Sequence, residues 1–459
     1  MDPLRRPSAR LERRLGAFDA AAIVISNVIG GGIFFVPVVV AQMIPDPAGI
    51  LGVWLLGGAL AFAGAMAYAE LAALRPRAGG EYVYLREAFG PAAGFLTGWT
   101  SFVAGFSGAI AASAVALAGY IGRFVPAAGD DRALVSLPMA GGALTLSPKT
   151  IVALAVIAAL SAIHVRGLGP GRLLQNLLAG VKVCALAVFV ALGFAIGRGT
   201  TANLTSGGAL PAAGFVLALV PVMFSYSGWN AAAYLAEEVR DPGRNLPLAL
   251  GLGTVTVVAI YVALNALYLY AIPAAPLGAL PGGRLMDSVA ERLFGFVAGN
   301  LLAAFTIVSI AASVSAMVLA GPRVYYSMAR DGLFLPAAAQ VHPRYRTPAA
   351  AILAQGVWSG ILVLSGTLSQ LVSYTGFAVV LFAGVAVCAL FVLRRREPDA
   401  PRPFRAWGYP WAPAIFVAAS AVMVVNEAWR NPGTTLAGVL VIAAGLPVYA
   451  LVRPRVPAP

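Results

Sequence analysis

The sequence predicts an all-α polytopic membrane protein of twelve transmembrane helices, and three observations predict it. Apolar residues make up 60% of the 459-residue chain and charged residues 11%, with a mean hydropathy of +0.85. A soluble core needs far less apolar sequence. Runs of about 20 apolar residues recur along almost the whole length, each enough to cross a bilayer as a helix. Basic residues are also distributed unequally. With the N-terminus inside, 23 of the 31 Lys and Arg fall on the inner side and seven on the outer, leaving Lys182 within a span. That asymmetry favours both termini in the cytoplasm of a plasma (inner) membrane protein. It also accounts for the net charge of +13 without a nucleic acid partner.

Residues 1–15 form a basic arm, too long and broken before the first apolar run to be a cleaved signal. The spans are then read over 16–42, 49–74, 91–122, 149–164, 172–196, 211–238, 245–272, 295–327, 348–366, 369–393, 412–430 and 434–452. The first is unusual. Gly30, Gly31 and Gly32 stand in its middle. Each glycine costs a helix about 1 kcal/mol relative to alanine, so three together mark an opening. Opened backbone at this depth must be buried by protein or line a cavity. Its second half then offers N–H groups to an anion. The alternative is that the glycines only permit close helix packing.

Arg75 to Phe89 has the aromatic and charged residues of an interfacial helix, and Asp287 to Phe294 is a short amphipathic piece outside, read as a lid. For both, an ordinary solvated connector is the alternative. The sixth span is interrupted at Ser225, Ser227 and Gly228, flanked by Tyr226 and Trp229. Spans one to five cover 16–196, and spans six to ten cover 211–393, 181 and 183 residues. Each half starts with an interrupted helix, and an odd number of spans turns the halves in opposite directions. Paired interruptions of this kind point to a transporter's midplane site in a five-plus-five inverted repeat. Residues 412–452 add two peripheral helices.

Several classes are excluded. Cys184 and Cys388 lie in apolar runs and form no disulfide framework or metal spacing. His164 and His342 read as close to loops, so neither a metal site nor a Ser–His–Asp enzyme is expected. There is no phosphate loop for ATP-driven pumping, no cofactor motif, and no ring of repeated polar residues for a channel. Glu70 and Glu427 are expected to snorkel from span ends. Glu237 and Glu238, at the end of the sixth span, are candidates to gate an exit by pairing with Arg13 or Arg14.

The segments FDAAAIVISNVIGGGIFFVP (18–37), AYAELAALRPRAGGEYVYLREAFGPAAGFLTGW (67–99), FSYSGWNAAAYLAEEVRDPGRNLP (224–247), GPRVYYSMARDGLFLPAAAQVHPRYRTP (321–348) and RRREPDAPRPFRAWGYP (394–410) resemble the amino acid–polyamine–organocation (APC) superfamily permeases, in their L-type amino acid transporter-like branch. The resemblance implies the leucine-transporter-type fold with interrupted helices 1 and 6. It implies secondary active transport of L-amino acids by alternating access, with a polyamine or organocation carrier of the same fold as the alternative. It also implies substrate contacts. The α-carboxylate falls to the N–H groups of Gly31 and Gly32, with Gly30 permitting the bend, and the α-ammonium to the carbonyls of Val28, Phe224 and Ser227. Phe224 matches an aromatic that closes over substrate. Many relatives carry serine or alanine at Gly31 and glycine at Ser227, so the pocket differs here. Trp229 and Asn230 flank the site, and Ser101, Phe102, Phe106 and Ser373 are candidates for the side-chain pocket, each with helix packing as its alternative.

Lys182 is one of two lysines and the only basic residue well inside a span. An intramembrane lysine is a functional candidate by default, and snorkelling is the alternative. By resemblance its ammonium occupies the place of a sodium ion, tying the fifth helix to the first near Gly30 and to Ser309 and Ser313. Transport is therefore expected to be sodium-independent, with exchange favoured over proton symport. Animal relatives pair with a single-span glycoprotein through an external cysteine. Neither cysteine here is external, so no accessory subunit is expected.

Overall fold

The computed structural model describes residues 11–453 except 140–141, 206, 209–210, 281–284, 296 and 367. The first apolar segment is divided. Helix α1 (Ala17–Val28) stops, residues 29–31 are irregular, a 3-10 turn covers Gly32–Phe34, and α2 (Val36–Met43) continues. Asp19 caps α1 by accepting from the Gly16 N–H at 2.7 Å. Asp46 accepts from the Gly49 N–H at 2.6 Å to start α3 (Pro47–Leu74), with Pro47 at the first helical position.

The interfacial helix is present as α4 (Glu81–Phe89). The third span is α5 (Pro91–Thr100) and α6 (Phe106–Gly122), joined by a π turn at Ser101–Gly105. A two-stranded antiparallel hairpin follows, β1 (Val135–Met139) and β2 (Gly142–Leu146), with Val135 opposite Leu146. The fourth and fifth spans are α7 (Pro148–Val165) and α8 (Leu168–Ile196), and α9 (Ala202–Thr205) is a single turn.

The sixth segment is broken like the first. Helix α10 (Ala212–Tyr226) ends, residues 227–230 are non-helical, and α11 (Ala231–Tyr234) and a 3-10 turn at Ala236–Glu238 complete it. Then come α12 (Pro242–Ala271), α13 (Ala274–Gly278), α14 (Leu285–Phe294), α15 (Val297–Arg330), α16 (Ala349–Leu364), α17 (Leu368–Arg396) and α18 (Trp411–Arg430). The last span is α19 (Pro432–Ala443) with α20 (Gly445–Val452).

Among the described residues nine helical runs are long and apolar enough to cross a membrane, and three shorter apolar helices stand at the first, sixth and ninth positions. All twelve segments read from the sequence are thus helical. The polytopic all-α class is as expected.

Side-chain periodicity sets which faces turn inward. On α8, Gln175, Ala179, Lys182, Leu186 and Phe189 are buried, at spacings of three and four, while Leu173, Leu177, Val181, Val188 and Leu192 are exposed on the opposite face. That stripe carries Lys182 into the bundle. Small residues allow close packing beside it. A Cβ on Gly57 or Gly58 would lie 2.5 Å from Val222 or 2.7 Å from Val258.

Two sequence expectations need correction. Glu70 does not snorkel. It is fully buried, paired with Arg394 and Arg402, and accepts from the Ala406 N–H at 2.7 Å. His164 is not loop-like. It is buried in the last turn of α7, with Nε2 2.9 Å from Ser315 Oγ. In both cases a partner from a distant span removes the need for water, which local sequence does not reveal.

Candidate substrate site

The two breaks meet. The Asn27 side-chain amide donates to the Gly228 carbonyl at 3.2 Å. The Tyr261 hydroxyl lies 2.9 Å from the Val28 carbonyl and 3.2 Å from that of Ser225, joining both breaks to α12. Gly228 has φ +101°, and a Cβ there would fall 2.5 Å from the Asn27 amide nitrogen. Both the positive φ and the close approach require glycine. Gly32 is constrained too, since its Cβ would meet Ser225 Cα at 3.0 Å. Gly31 is different. It is exposed, and a Cβ on it would meet nothing within 4 Å.

Among the described residues neither the Gly31 nor the Gly32 N–H has a protein acceptor. The carbonyls are less free. Val28 already accepts from the Gly30 N–H at 2.7 Å and from Tyr261, and Phe224 accepts from the Ser227 N–H at 3.0 Å. The Phe224 ring packs over Gly376 and lines a cavity of about 340 Å³ with Phe35, Val36, Val220 and Phe377.

Lys182 is fully buried, and its ammonium donates to the carbonyls of Ser26, at 3.2 Å, and Ile29, and to Ser313 Oγ at 3.4 Å. Those carbonyls close α1 where its helical ladder stops, so the cation sits on the negative end of the half-helix. Ser313 Oγ lies 2.7 Å from the Ser26 carbonyl. The ammonium meets the first helix next to Gly30, at Ile29, and meets Ser313, while Ser309 is not among its partners. Ser309 Oγ is buried without one among the described residues, and Gly30 itself lies against Ser313.

Other candidates are committed elsewhere. The Trp229 indole packs against Tyr68 at 4.8 Å and Phe416 at 5.6 Å, so only its backbone faces the break. The Asn230 amide donates to Glu81 Oε1 at 2.6 Å and to the Tyr234 hydroxyl at 3.1 Å. Phe102 packs edge-on to Tyr325 and Phe334, Phe106 to Tyr234, and the Ser101 carbonyl accepts from the Tyr325 hydroxyl. The side chain of Ser373 lies outside the described residues.

Sequence reasoning missed Tyr261 and the Glu81 cluster. Glu81 also accepts from the Tyr68 hydroxyl at 2.6 Å. Burial pushes its carboxyl above the ordinary range, partly offset by hydrogen bonds from Tyr68, Tyr234 and Asn230.

The N-terminal arm is fastened to the end of the sixth span. Leu15 forms a parallel bridge with Val239, and the N–H groups of Arg14 and Leu15 donate to the Glu238 carbonyl at 2.9 and 3.0 Å. The expected side-chain pairs with Arg13 or Arg14 are not formed. Glu238 pairs instead with the fully buried Arg323 at 2.7 Å, and Glu237 with Arg330 at 2.9 Å. A fork of two parallel N–H groups suits Arg323 to this carboxylate, which a flexible arm could not supply when dry.

Comparison with known proteins agrees with this architecture. The family model described as amino acid permease matches residues 15–452, both breaks included. The chain belongs to the amino acid permease family. It is a transporter, not an enzyme. The permease is 30% identical over 448 residues to the serine/threonine exchanger SteT of Bacillus subtilis, covering 97% of this chain and 98% of that one. It is 27% identical to the large neutral amino acids transporter small subunit 2 of Homo sapiens, over 96% of this chain and 80% of the relative. It is 28% identical to the b(0,+)-type amino acid transporter 1 of Oryctolagus cuniculus, over 96% and 88%. A relative named as a small subunit gives no support to the expectation that this permease works without an accessory subunit.

Proposed function

We propose that this permease carries L-amino acids across the plasma (inner) membrane by alternating access, without sodium, and that exchange is favoured over proton symport. Both termini are placed in the cytoplasm on the bias of basic residues. The two five-helix halves, 16–196 and 211–393, act as oppositely oriented repeats around the breaks.

One observation carries the reading: the unpaired N–H groups of Gly31 and Gly32 open where the two breaks meet. They suit a carboxylate at the start of a half-helix. The carbonyls of Val28, Phe224 and Ser227 supply partial negative charge for the α-ammonium. Phe224 retains a second lone pair beside the bond from Ser227, whereas Val28, already accepting from Gly30 and Tyr261, must share one of its two with the ammonium. Phe224 closes over the substrate. Lys182 serves as a built-in cation, holding α1 to α15 through Ser313, as a bound metal ion would. The relative named as a serine/threonine exchanger supports exchange over net uptake.

Uptake into proteoliposomes tests the reading. Vesicles preloaded with a neutral amino acid should take up labelled substrate much faster than empty ones. Equal rates would remove the exchange reading, and no amino acid uptake in either case would remove the function.

A further inference from the structure

A cavity of about 240 Å³ lies at the arm-bearing end, away from the breaks, lined by Arg13, Arg14, Leu168, Gly169, Arg172 and Arg240. Its four guanidinium groups are brought there by backbone. Arg13 and Arg14 precede Leu15, which bridges to Val239, and the Arg240 N–H donates back to the Leu15 carbonyl at 2.9 Å. Arg172 comes from the first turns of α8. Two helix N-termini point to the same place. Arg240 Nη2 lies over Gly16, 3.4 Å from where its Cβ would be, at the start of α1. Leu168 and Gly169 open α8, whose N-cap Gly167 offers no side-chain cap.

Positive helix ends and guanidinium groups repel one another unless an anion sits among them. The carboxylates nearby are already engaged. Glu12 is shared between Arg14 and Arg346. Asp19, 3.6 Å from Arg172, also accepts from Gly16 and from Asn176. Among the described residues Arg13 and Arg240 have no carboxylate partner.

Beside the lining residues in the chain, α1 and α8 present an apolar, exposed rim. Phe18, beside Asp19, is 84% exposed, and Leu173 and Leu177, beside Arg172 and Asn176, are 71% and 60% exposed. The Asp19 contacts hold these residues on adjoining surfaces of α1 and α8. A free anion has no use for such a rim, whereas acyl chains do.

We propose that this cavity binds the phosphate headgroup of an anionic phospholipid, with its acyl chains along Phe18, Leu173 and Leu177. The lipid joins the arm, α1, α8 and the end of the sixth span, four segments that must separate for this end to open. A basic pocket between helices at this end of the bundle matches the general chemistry of anionic headgroup sites.

Native mass spectrometry of the purified permease, offered equal phosphatidylglycerol and phosphatidylcholine, tests the site. Phosphatidylglycerol adducts should dominate. Arg13→Ala with Arg240→Ala should weaken their retention about thirtyfold, since each surface arginine contributes about a factor of five. Gly169→Glu provides a second variant that folds readily, because its Cβ meets nothing within 4 Å. It places a carboxylate in the cavity and should displace the lipid without lowering the melting temperature. Equal retention of the two lipids, or unchanged phosphatidylglycerol preference in both variants, would overturn the proposal. So would binding of inorganic phosphate with no lipid preference, which would reduce the cavity to a free-anion site.

Discussion

At the residue scale, the three consecutive glycines are not equivalent. Gly32 lies tight against Ser225 and is set by packing, whereas a Cβ on Gly30 would meet Ser313 Oγ only at an ordinary 3.4 Å. Only Gly31 faces open space, in right-handed helical conformation that any residue adopts. A side chain at Gly32 would therefore pry the two breaks apart rather than fill a substrate seat. Gly31→Leu is the sharper test. It should leave melting unchanged and abolish measurable amino acid binding, and normal affinity in the folded variant would remove the glycine stretch from the site. Lys182 is judged on the same scale. Its compact ammonium satisfies two carbonyls and a hydroxyl at the end of α1. Lys182→Ala leaves the single Ser313 hydroxyl to serve both carbonyls, and Lys182→Arg brings a planar head too large for them. Both should fold, with transport reduced by roughly tenfold or more, equivalent to about 1.4 kcal/mol. Full activity in the alanine variant would show that no cation is needed there.

At the element scale, the breaks were legible and their bracing was not. Glycine and serine clusters interrupt long apolar runs, and each interruption proved real. The Lys182 position was legible too, because a lone lysine in a span must face protein. What the sequence did not disclose were pairings between spans far apart in the chain: Tyr261 with Val28, Glu81 with Asn230, and Arg323 with Glu238. In each case the partner is set by tertiary geometry alone. The Arg323–Glu238 pair holds the end of the sixth span to α15 with both side chains fully buried. Removing one partner of a buried pair costs about 3–5 kcal/mol. Glu238→Leu should lower the melting temperature sharply, and adding Arg323→Leu should recover much of it. No recovery would mean the loss came from packing, not from an orphaned charge. Glu81 braces the other side of the break. Its carboxyl is raised by burial among neutral partners. Its contribution to stability is thus fully present below the ordinary carboxylate range and is lost as pH rises through the raised value. Glu81→Gln should flatten that decline in a melting series across pH. An unchanged slope would assign the pH dependence to other groups.

At the scale of the whole molecule, the two breaks handle charge with dipoles and one fixed lysine. Half-helix ends face each other where the breaks meet, so a zwitterion finds partial positive charge for its carboxylate and carbonyls for its ammonium. Among the described residues no Asp or Glu lies within the irregular residues of either break to hold a second cationic group. Both α-charges are therefore needed, and a diamine should gain nothing. On the proposed reading the Lys182 ammonium, which donates to the carbonyls that end α1, takes the place of a coupling metal. Replacing sodium by choline should leave uptake unchanged. In the same vesicles, neutral amino acids should compete with labelled substrate, while the matching amino alcohols and α-hydroxy acids should compete at least tenfold more weakly, about 1.4 kcal/mol for each lost charge contact. Lysine should outcompete cadaverine, its decarboxylated form, because only lysine presents a carboxylate to Gly31 and Gly32. Strict sodium dependence would place a metal where Lys182 stands. Preference for cadaverine would make the permease a polyamine carrier and move recognition away from the glycine break.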